Sequence, residues 1–296
     1  MRFACDHVLV RVPASATNLG PGFDALGLAL DLWDEIEVKA VPGPTAVVIH
    51  GEGDGELPPD ERHLVVRAAH QALELAGAPP IGLQLDCTNR IPQRRGLGSS
   101  AAAAVAGGLI ARGLIENPAG MNAGRVFELA AGLEGHPDNA APAVFGGATV
   151  AWLEAGLPRA AKLAVHPAVR AVALVPEHPV ATALARAALP ARVTHQDAAF
   201  NAGRAALMVH ALASDPSLLM EASQDRLHQP YRAEVMPQTI ELMNDLRSRG
   251  VPAMISGAGP AVLCLTAEPG RVPAVEGWRR LELGITARGG SVGRYE

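Results

Sequence analysis

The stretch Pro92-Gln93-Arg94-Arg95-Gly96-Leu97-Gly98-Ser99-Ser100-Ala101-Ala102-Ala103-Ala104 constrains this chain more than any other, because it joins a tight glycine turn to a helix start. Gly96 and Gly98 let the backbone approach a ligand with no Cβ in the way, and Ser99 or Ser100 can cap the alanine-rich helix that follows. The unpaired N–H groups of that helix's first turn, with the positive end of its dipole, then face an anion. The serine hydroxyls also suit Mg²⁺ beside a triphosphate. The stretch reads as a phosphate cradle, with an ordinary serine-capped helix as the plainer alternative. Two other cradles lack their parts. The formal match to G-x-G-x-x-A has no buried strand directly before it and no acid about 20 residues on. A Walker loop needs a lysine before its Ser/Thr, and the lysines here are Lys39 and Lys162.

Composition limits what can occupy such a cradle. At 296 residues and 49% hydrophobic, the chain can fill one large core or two ordinary ones. A net charge of −5 with scattered arginines gives no basic footprint, which argues against nucleic acid as a partner. Cys5, Cys87 and Cys264 lie far apart without C-x-x-C spacing, so neither a disulfide framework nor a zinc site is indicated. No basic start precedes an apolar segment, and nowhere do about 18 uncharged apolar residues run together. A cytoplasmic protein with no membrane attachment is expected.

In chain order, His7-Val8-Leu9-Val10-Arg11-Val12 has strand character, expected to end at Pro13 and give way to a shaped loop over 14–24. There Asn18 and Asp24 suit either turn chemistry or a ligand. Residues 35–38 and 45–49 read as strands of an antiparallel sheet. Leu64, Val65, Ala68, Ala72, Leu73 and Ala76 recur at helical spacing, predicting a helix over 62–76, and 82–87 alternates as a strand. A helix over 99–112 precedes another over 122–133, whose apolar stripe leaves Glu128 on a solvated face unless the helix passes the phosphate site. Residues 134–142 then gather His136, Asp138 and Asn139 beside prolines, more polar groups than a capping turn needs. A strand over 147–152 follows.

Composition loosens between Glu154 and Pro167, which divides the chain into 1–160 and 161–296. The second part reads as α+β: a strand over 171–175, a helix through Thr182 and Arg186, helices over 198–212 and 235–249, and a strand-turn-strand over 254–265. Its turn, Ile255-Ser256-Gly257-Ala258-Gly259-Pro260, either satisfies tight geometry or brings amides to an anion.

Three separated motifs, in order, resemble those of the GHMP kinase superfamily: Pro13-Ala14-Ser15-Ala16-Thr17-Asn18-Leu19-Gly20-Pro21-Gly22-Phe23-Asp24, Gly96-Leu97-Gly98-Ser99-Ser100-Ala101 and Ser256-Gly257-Ala258-Gly259-Pro260. Gly135-His136-Pro137-Asp138-Asn139 with Ala141-Pro142, and Asp225 with His228-Gln229-Pro230-Tyr231-Arg232, are similar to the branch that phosphorylates the side-chain hydroxyl of L-homoserine. The likeness covers essentially the whole chain. It implies a two-domain α+β fold. The N-terminal domain would be ribosomal-S5-domain-2-like with a left-handed βαβ unit, against the usual hand, and the C-terminal domain ferredoxin-like. It further implies ATP as donor, Mg²⁺ as cofactor and O-phospho-L-homoserine as product, the step before threonine synthase. A homodimer is compatible with it.

The resemblance also distributes roles. ATP would lie on Pro92, Gln93, Arg94, Arg95, Gly96, Leu97, Gly98, Ser99, Ser100, Ala101 and Ala102, with Ser99 or Ser100 and Glu128 holding Mg²⁺. Asp24 and His136 or Asp138 would take the substrate's ammonium. Arg186 and Arg232 would take its carboxylate, Arg232 also steadying the phosphoryl group. Thr182 and Gly257 would complete that end. Asn139, where related kinases carry an aspartate, would orient the hydroxyl with Asn18, leaving Asp138 as an orienting group or a base. His63 stands where the family usually has asparagine, near the adenine, and Arg90 and Arg94 stand in a variable loop from which both can contact nucleotide. Two rival functions are a kinase of the same family acting on another small alcohol, such as shikimate or a mevalonate-type acid, and a non-catalytic binding relative. The first turns on whether Arg186 and Arg232 bind an α-amino acid; the second would more naturally lose Glu128 or the serines.

Overall fold

A long hairpin whose burial alternates over 7–12 and 34–38 and is continuous over 12–22 opens the chain, in a computed structural model that describes residues 2–295. Its arms are β1 (His7–Asn18) and β2 (Gly22–Val41), paired antiparallel with register shifts at Pro13/Ala14 and Thr17/Asn18. Pro13 therefore does not end the strand as expected: a bulge beside it absorbs the missing donor. The anticipated 14–24 loop is mostly strand, with a tight turn at its tip.

The chain continues through β3 (Ala46–Gly51), α1 (Leu64–Leu75) and β4 (Gly82–Asn89). Residues 45–49 were expected in an antiparallel sheet, but β3 pairs with β4 in parallel, because the intervening helix returns the chain to the same end. Next come α2 (Ser99–Leu114), α3 (Ala123–Glu134), α4 (Ala140–Phe145), β5 (Ala148–Glu154) and β6 (Leu157–Leu163). The second part holds β7 (Arg170–Pro176), α5 (Thr182–Ala187), α6 (His195–Ala213), α7 (Leu219–Ala222), α8 (Pro237–Ser248), β8 (Ala253–Ile255), β9 (Val262–Thr266), β10 (Trp278–Leu283) and β11 (Ser291–Arg294).

One sheet runs β11-β1-β2-β4-β3 with β5 and β6 joined through β2, and an antiparallel sheet runs β10-β7-β9-β8. A division at 160/161 would cut β6, since the change of sheet falls after Leu163. The last strand also returns to the first sheet, pairing Val292 with Val10. The first layer is thus built from both ends of the chain.

The alanine and glycine content of α2 serves packing. A Cβ on Gly107 would overlap the side chain of Ala68 on α1, and one on Gly108 would stand 3.0 Å from Val126 on α3. Small side chains let three helices close on one another, and Ala104, Val105 and Ile110 are fully buried between them and the sheet. That close packing fixes where the N-terminus of α2 points. Among the described residues no helix is long and apolar enough to cross a membrane.

Candidate active site

Gly98 sets the geometry of the expected phosphate cradle. It is the N-cap of α2 with φ 73° and no side-chain cap, and a Cβ there would overlap Ser15 Oγ on β1. The serines are therefore not caps, as the sequence had allowed, but the first two helical residues. Their hydroxyls are left for other partners, and the N–H groups of the first turn have no partner within the helix. Gly98, Ser99 and Ser100 all line one cavity of about 320 Å³, within the range of about 300–1,000 Å³ usual for small-molecule sites.

The other two motifs close on the first. The Ser15 N–H donates to Leu97 O at 3.1 Å, Gly257 N–H to Thr17 O at 3.0 Å, and Ser256 Oγ to Gly96 O at 2.7 Å. The Gly259 N–H is used within its own turn, on Ser256 O at 2.8 Å. The N–H groups of Ile255, Ser256, Gly257 and Gly259 are thus all used within the protein, so tight geometry accounts for those residues of the turn, while Ala258 lines the cavity.

Of the eleven residues expected at the nucleotide, Gln93, Arg94, Gly96, Gly98, Ser99, Ser100 and Ala102 line the cavity, while Pro92, Arg95, Leu97 and Ala101 do not. Arg95 turns away, donating to Pro176 O at 2.9 Å, to Gln93 O at 2.8 Å and to Glu177 O, and so ties the loop to the second sheet. Leu97 is fully buried. Beyond the glycines an apolar slot of Val12, Ile36, Leu57 and Val65 contains His63, 5% exposed, at the N-cap of α1. Burial holds its imidazole toward the neutral form. At the loop's root Asp34 Oδ1 accepts the N–H groups of Arg90 at 2.6 Å and Ile91 at 2.9 Å, and burial pushes its carboxyl up to about 6. Arg90 itself bonds Trp33 O and Glu35 and does not line the cavity.

Glu128 is not at the cradle. It is exposed on the far face of α3, beside Arg125 and Gln71 in a separate surface depression. Glu134, six residues on, is the α3 carboxylate at the cradle: its Oε1 accepts a hydrogen bond from Ser100 Oγ at 2.5 Å, and it lines the main cavity. Burial drives its carboxyl above the usual range, against the hydrogen bond from Ser100. A signal for it did exist in the sequence. An acid at the last residue of a helix opposes the dipole and calls for a cation.

At the other end of the cavity Asp24 and Arg186 form a two-pronged ion pair, 2.7 and 3.1 Å, each a little over one-third exposed. His136 Nδ1 donates to Asp138 at 2.6 Å, and that bond raises the imidazole pKa despite burial. Ser15 Oγ donates to Asn139 Oδ1 at 3.0 Å. Asn18, with φ 68°, donates to Gly257 O at 2.7 Å and accepts from the Asp24 N–H at 2.9 Å, so its amide bridges two loops. Thr182 sits exposed at the mouth.

Arg232, 1% exposed, also donates to Gly257 O at 2.8 Å, and burial lowers its guanidinium to about 10. Behind this end, buried His228 donates to Gly20 O at 2.7 Å and stacks on Phe23, holding the hairpin tip.

Among the described residues, five buried side-chain atoms have no hydrogen-bond partner, and three of them, Thr17 Oγ1, His63 Nδ1 and Arg232 Nε, belong to residues of this one cavity. Unsatisfied groups gathered in one place mark where a ligand belongs. The sequence reading assigned nothing to Thr17, Asp34 or Glu134.

Two family models match the chain, GHMP kinases N terminal domain over residues 63–147 and GHMP kinases C terminal over residues 208–277. The homoserine kinase of Leifsonia xyli is 48% identical, covering 97% of this chain and 92% of that protein. That of Corynebacterium aurimucosum is 51% identical over 88% and 87%. A crystal structure of homoserine kinase from Cytophaga hutchinsonii superposes with a TM-score of 0.82 at 27% identity, covering 99% of each chain.

Proposed function

Because this chain belongs to the homoserine kinases of the GHMP kinase superfamily, we infer that it transfers the γ-phosphoryl group of ATP to the side-chain hydroxyl of L-homoserine. The product is O-phospho-L-homoserine, the ester on the route to threonine. One observation carries the reading beyond kinship: a single cavity has an uncapped helix start at one end and the Asp24–Arg186 pair at the other. The first fits a triphosphate, and the second is the mirror of a zwitterion's charges. An amino acid can exchange each partner of that pair for its own ammonium and carboxylate.

Roles follow from the contacts. The triphosphate rests on the N-terminus of α2, with the base in the slot by His63. Substrate ammonium goes to Asp24. His136, drawn toward its charged form by Asp138, is a donor and is not suited to accept an ammonium, so its expected part in that contact falls away. Substrate carboxylate goes to Arg186 and Arg232. Asn139 and Asp138 orient the hydroxyl, with Asn18 holding the loops that frame it. Asp138 is assigned orientation rather than proton abstraction because its Oδ1 already accepts from His136.

The residues present fit a Mg²⁺ ion. No group of three or more His, Cys, Asp or Glu is found among the described residues, but this ion takes one or two carboxylates and keeps its other positions for phosphate and water. Glu134, with the hydroxyls of Ser99 and Ser100, would hold it, and the ion would supply positive charge to offset that of the phosphates. Phosphoryl transfer depends mainly on positioning and charge stabilisation, which this cavity supplies without a free nucleophile.

ADP release coupled to a spectroscopic readout, run across L-homoserine, L-serine, shikimate and mevalonate, tests the assignment. Turnover with homoserine is expected; turnover of another alcohol with homoserine inert would overturn it.

A further inference from the structure

We propose that the Thr17 hydroxyl is a further catalytic contact, donating a hydrogen bond to the phosphoryl group in transit; the assignment rests on the kinase reading above. Thr17 is 1% exposed, lines the cavity, and its Oγ1 has no protein partner. A buried hydroxyl left unpaired opposes folding, so its retention calls for a partner that arrives later.

The surroundings say which partner. Thr17 O accepts the Gly257 N–H at 3.0 Å, while Asn18 Nδ2 and Arg232 Nη1 both donate to Gly257 O, at 2.7 and 2.8 Å. A Cβ on Gly257 would stand 3.2 Å from Gly96 O and 3.4 Å from Thr17 Oγ1. The space that Gly257 leaves open therefore borders the phosphate loop on one side and the Thr17 hydroxyl on the other. Gly96 belongs to the loop assigned to the donor, and Asn18 and Arg232 to the acceptor end, so the Thr17 hydroxyl stands beside residues of both. The second orphaned donor at this end is Arg232 Nε. A hydroxyl and a guanidinium, both buried and both with unused donors, suit an oxyanion.

In the transfer, the bond from γ-phosphorus to the β,γ-bridging oxygen breaks, its electron pair leaving with ADP. A bond forms from phosphorus to the substrate hydroxyl oxygen, whose proton is released to solvent. Charge is spread over three equatorial oxygens during this exchange. Thr17 keeps its proton and donates it to one of those oxygens as a hydrogen bond. A preorganised donor in a dry site acts on charge that develops at the transition state.

The test compares T17V, which keeps the shape and removes the hydroxyl, with T17S, which keeps the hydroxyl. For T17V, kcat is expected to fall about 100-fold, with the KM values for ATP and homoserine within about threefold, because the contact forms during reaction. Its Tm in the absence of ligand should equal or exceed that of the unaltered protein. T17S should keep at least about one-third of kcat. ADP with aluminium fluoride should bind T17V more weakly than the unaltered protein, while ADP alone binds both equally. An unchanged kcat in T17V overturns the proposal. So does a rise confined to the KM for homoserine, which would make the hydroxyl a ground-state contact, or a lowered Tm with T17S equally impaired, which would make it structural. If the unaltered protein leaves homoserine inert, the substrate reading fails on its own, and the aluminium fluoride comparison still decides the role of Thr17.

Discussion

Replacing Glu134 by glutamine separates the metal-ligand role from a structural one. The glutamine carbonyl can still accept from Ser100 Oγ, now 2.5 Å from Glu134 Oε1, and the carboxylate's charge is lost. Burial disfavours the ionised form of Glu134 in the ligand-free protein, so removing the charge should leave the Tm unchanged or slightly raised. Catalysis should respond in the opposite sense. A weaker hold on the ion that offsets the transferring group's charge is expected to cost about 100- to 1,000-fold, or about 2.7–4 kcal/mol, in kcat/KM. The apparent Mg²⁺ requirement should rise with it. E128Q is the control: Glu128 is exposed on a different face of the same helix, away from the cavity, so stability should move by no more than about 0.5 kcal/mol and turnover should not change. Coupled ADP release over a Mg²⁺ titration, with thermal unfolding of the three proteins, supplies both readouts. If E134Q kept its activity and its Mg²⁺ dependence, or E128Q lost them, the placement of the ion at Ser100 and Glu134 would be wrong.

Asp34 yields a pH prediction. Its folded pKa of about 6 lies above the unfolded value near 3.8, so the folded state holds the extra proton between the two and stability declines as pH rises through that window. D34N keeps an acceptor for Arg90 and Ile91. It should be more stable at pH 8 by up to about 3 kcal/mol, with the gap closing toward pH 4 in denaturant titrations. A constant gap across that range would remove the charge as its cause. G98A forces a Cβ into Ser15 Oγ at φ 73°, and the left-handed strain plus overpacking amounts to about 2–5 kcal/mol; a change in chemical unfolding below 1 kcal/mol would contradict the geometry. D24N should raise the KM for homoserine at least about tenfold while that for ATP moves less than about twofold. Its ligand-free Tm should scarcely change, because the Asp24–Arg186 pair is more than one-third exposed and screened by solvent.

Much of the architecture was legible in the chain. Strand and helix periods located α1, α2, α3 and the 254–265 hairpin, because burial on one face imposes those periods directly. The failures were of long range. That Pro13 lies inside β1, that β3 runs parallel to β4, and that 291–294 returns to the first sheet all depend on partners distant in sequence.

The site divides in the same way. Local chemistry was enough to identify the glycine turn, the helix start and the polar run around Asp138, since a tight turn and an exposed helix end need particular residue types wherever they occur. Which carboxylate meets the cradle was not local. Glu128 and Glu134 lie on the same helix, and only the packing of α3 against α2 turns one to Ser100 and the other to solvent. The idle hydroxyl of Thr17 was equally invisible, because whether a buried polar atom has a partner is a property of the assembled walls. The sequence by itself determined that a tight glycine turn opens onto a helix start. The tertiary structure decided what surrounds it, because contacts between residues far apart in the chain are chosen by how complete surfaces fit.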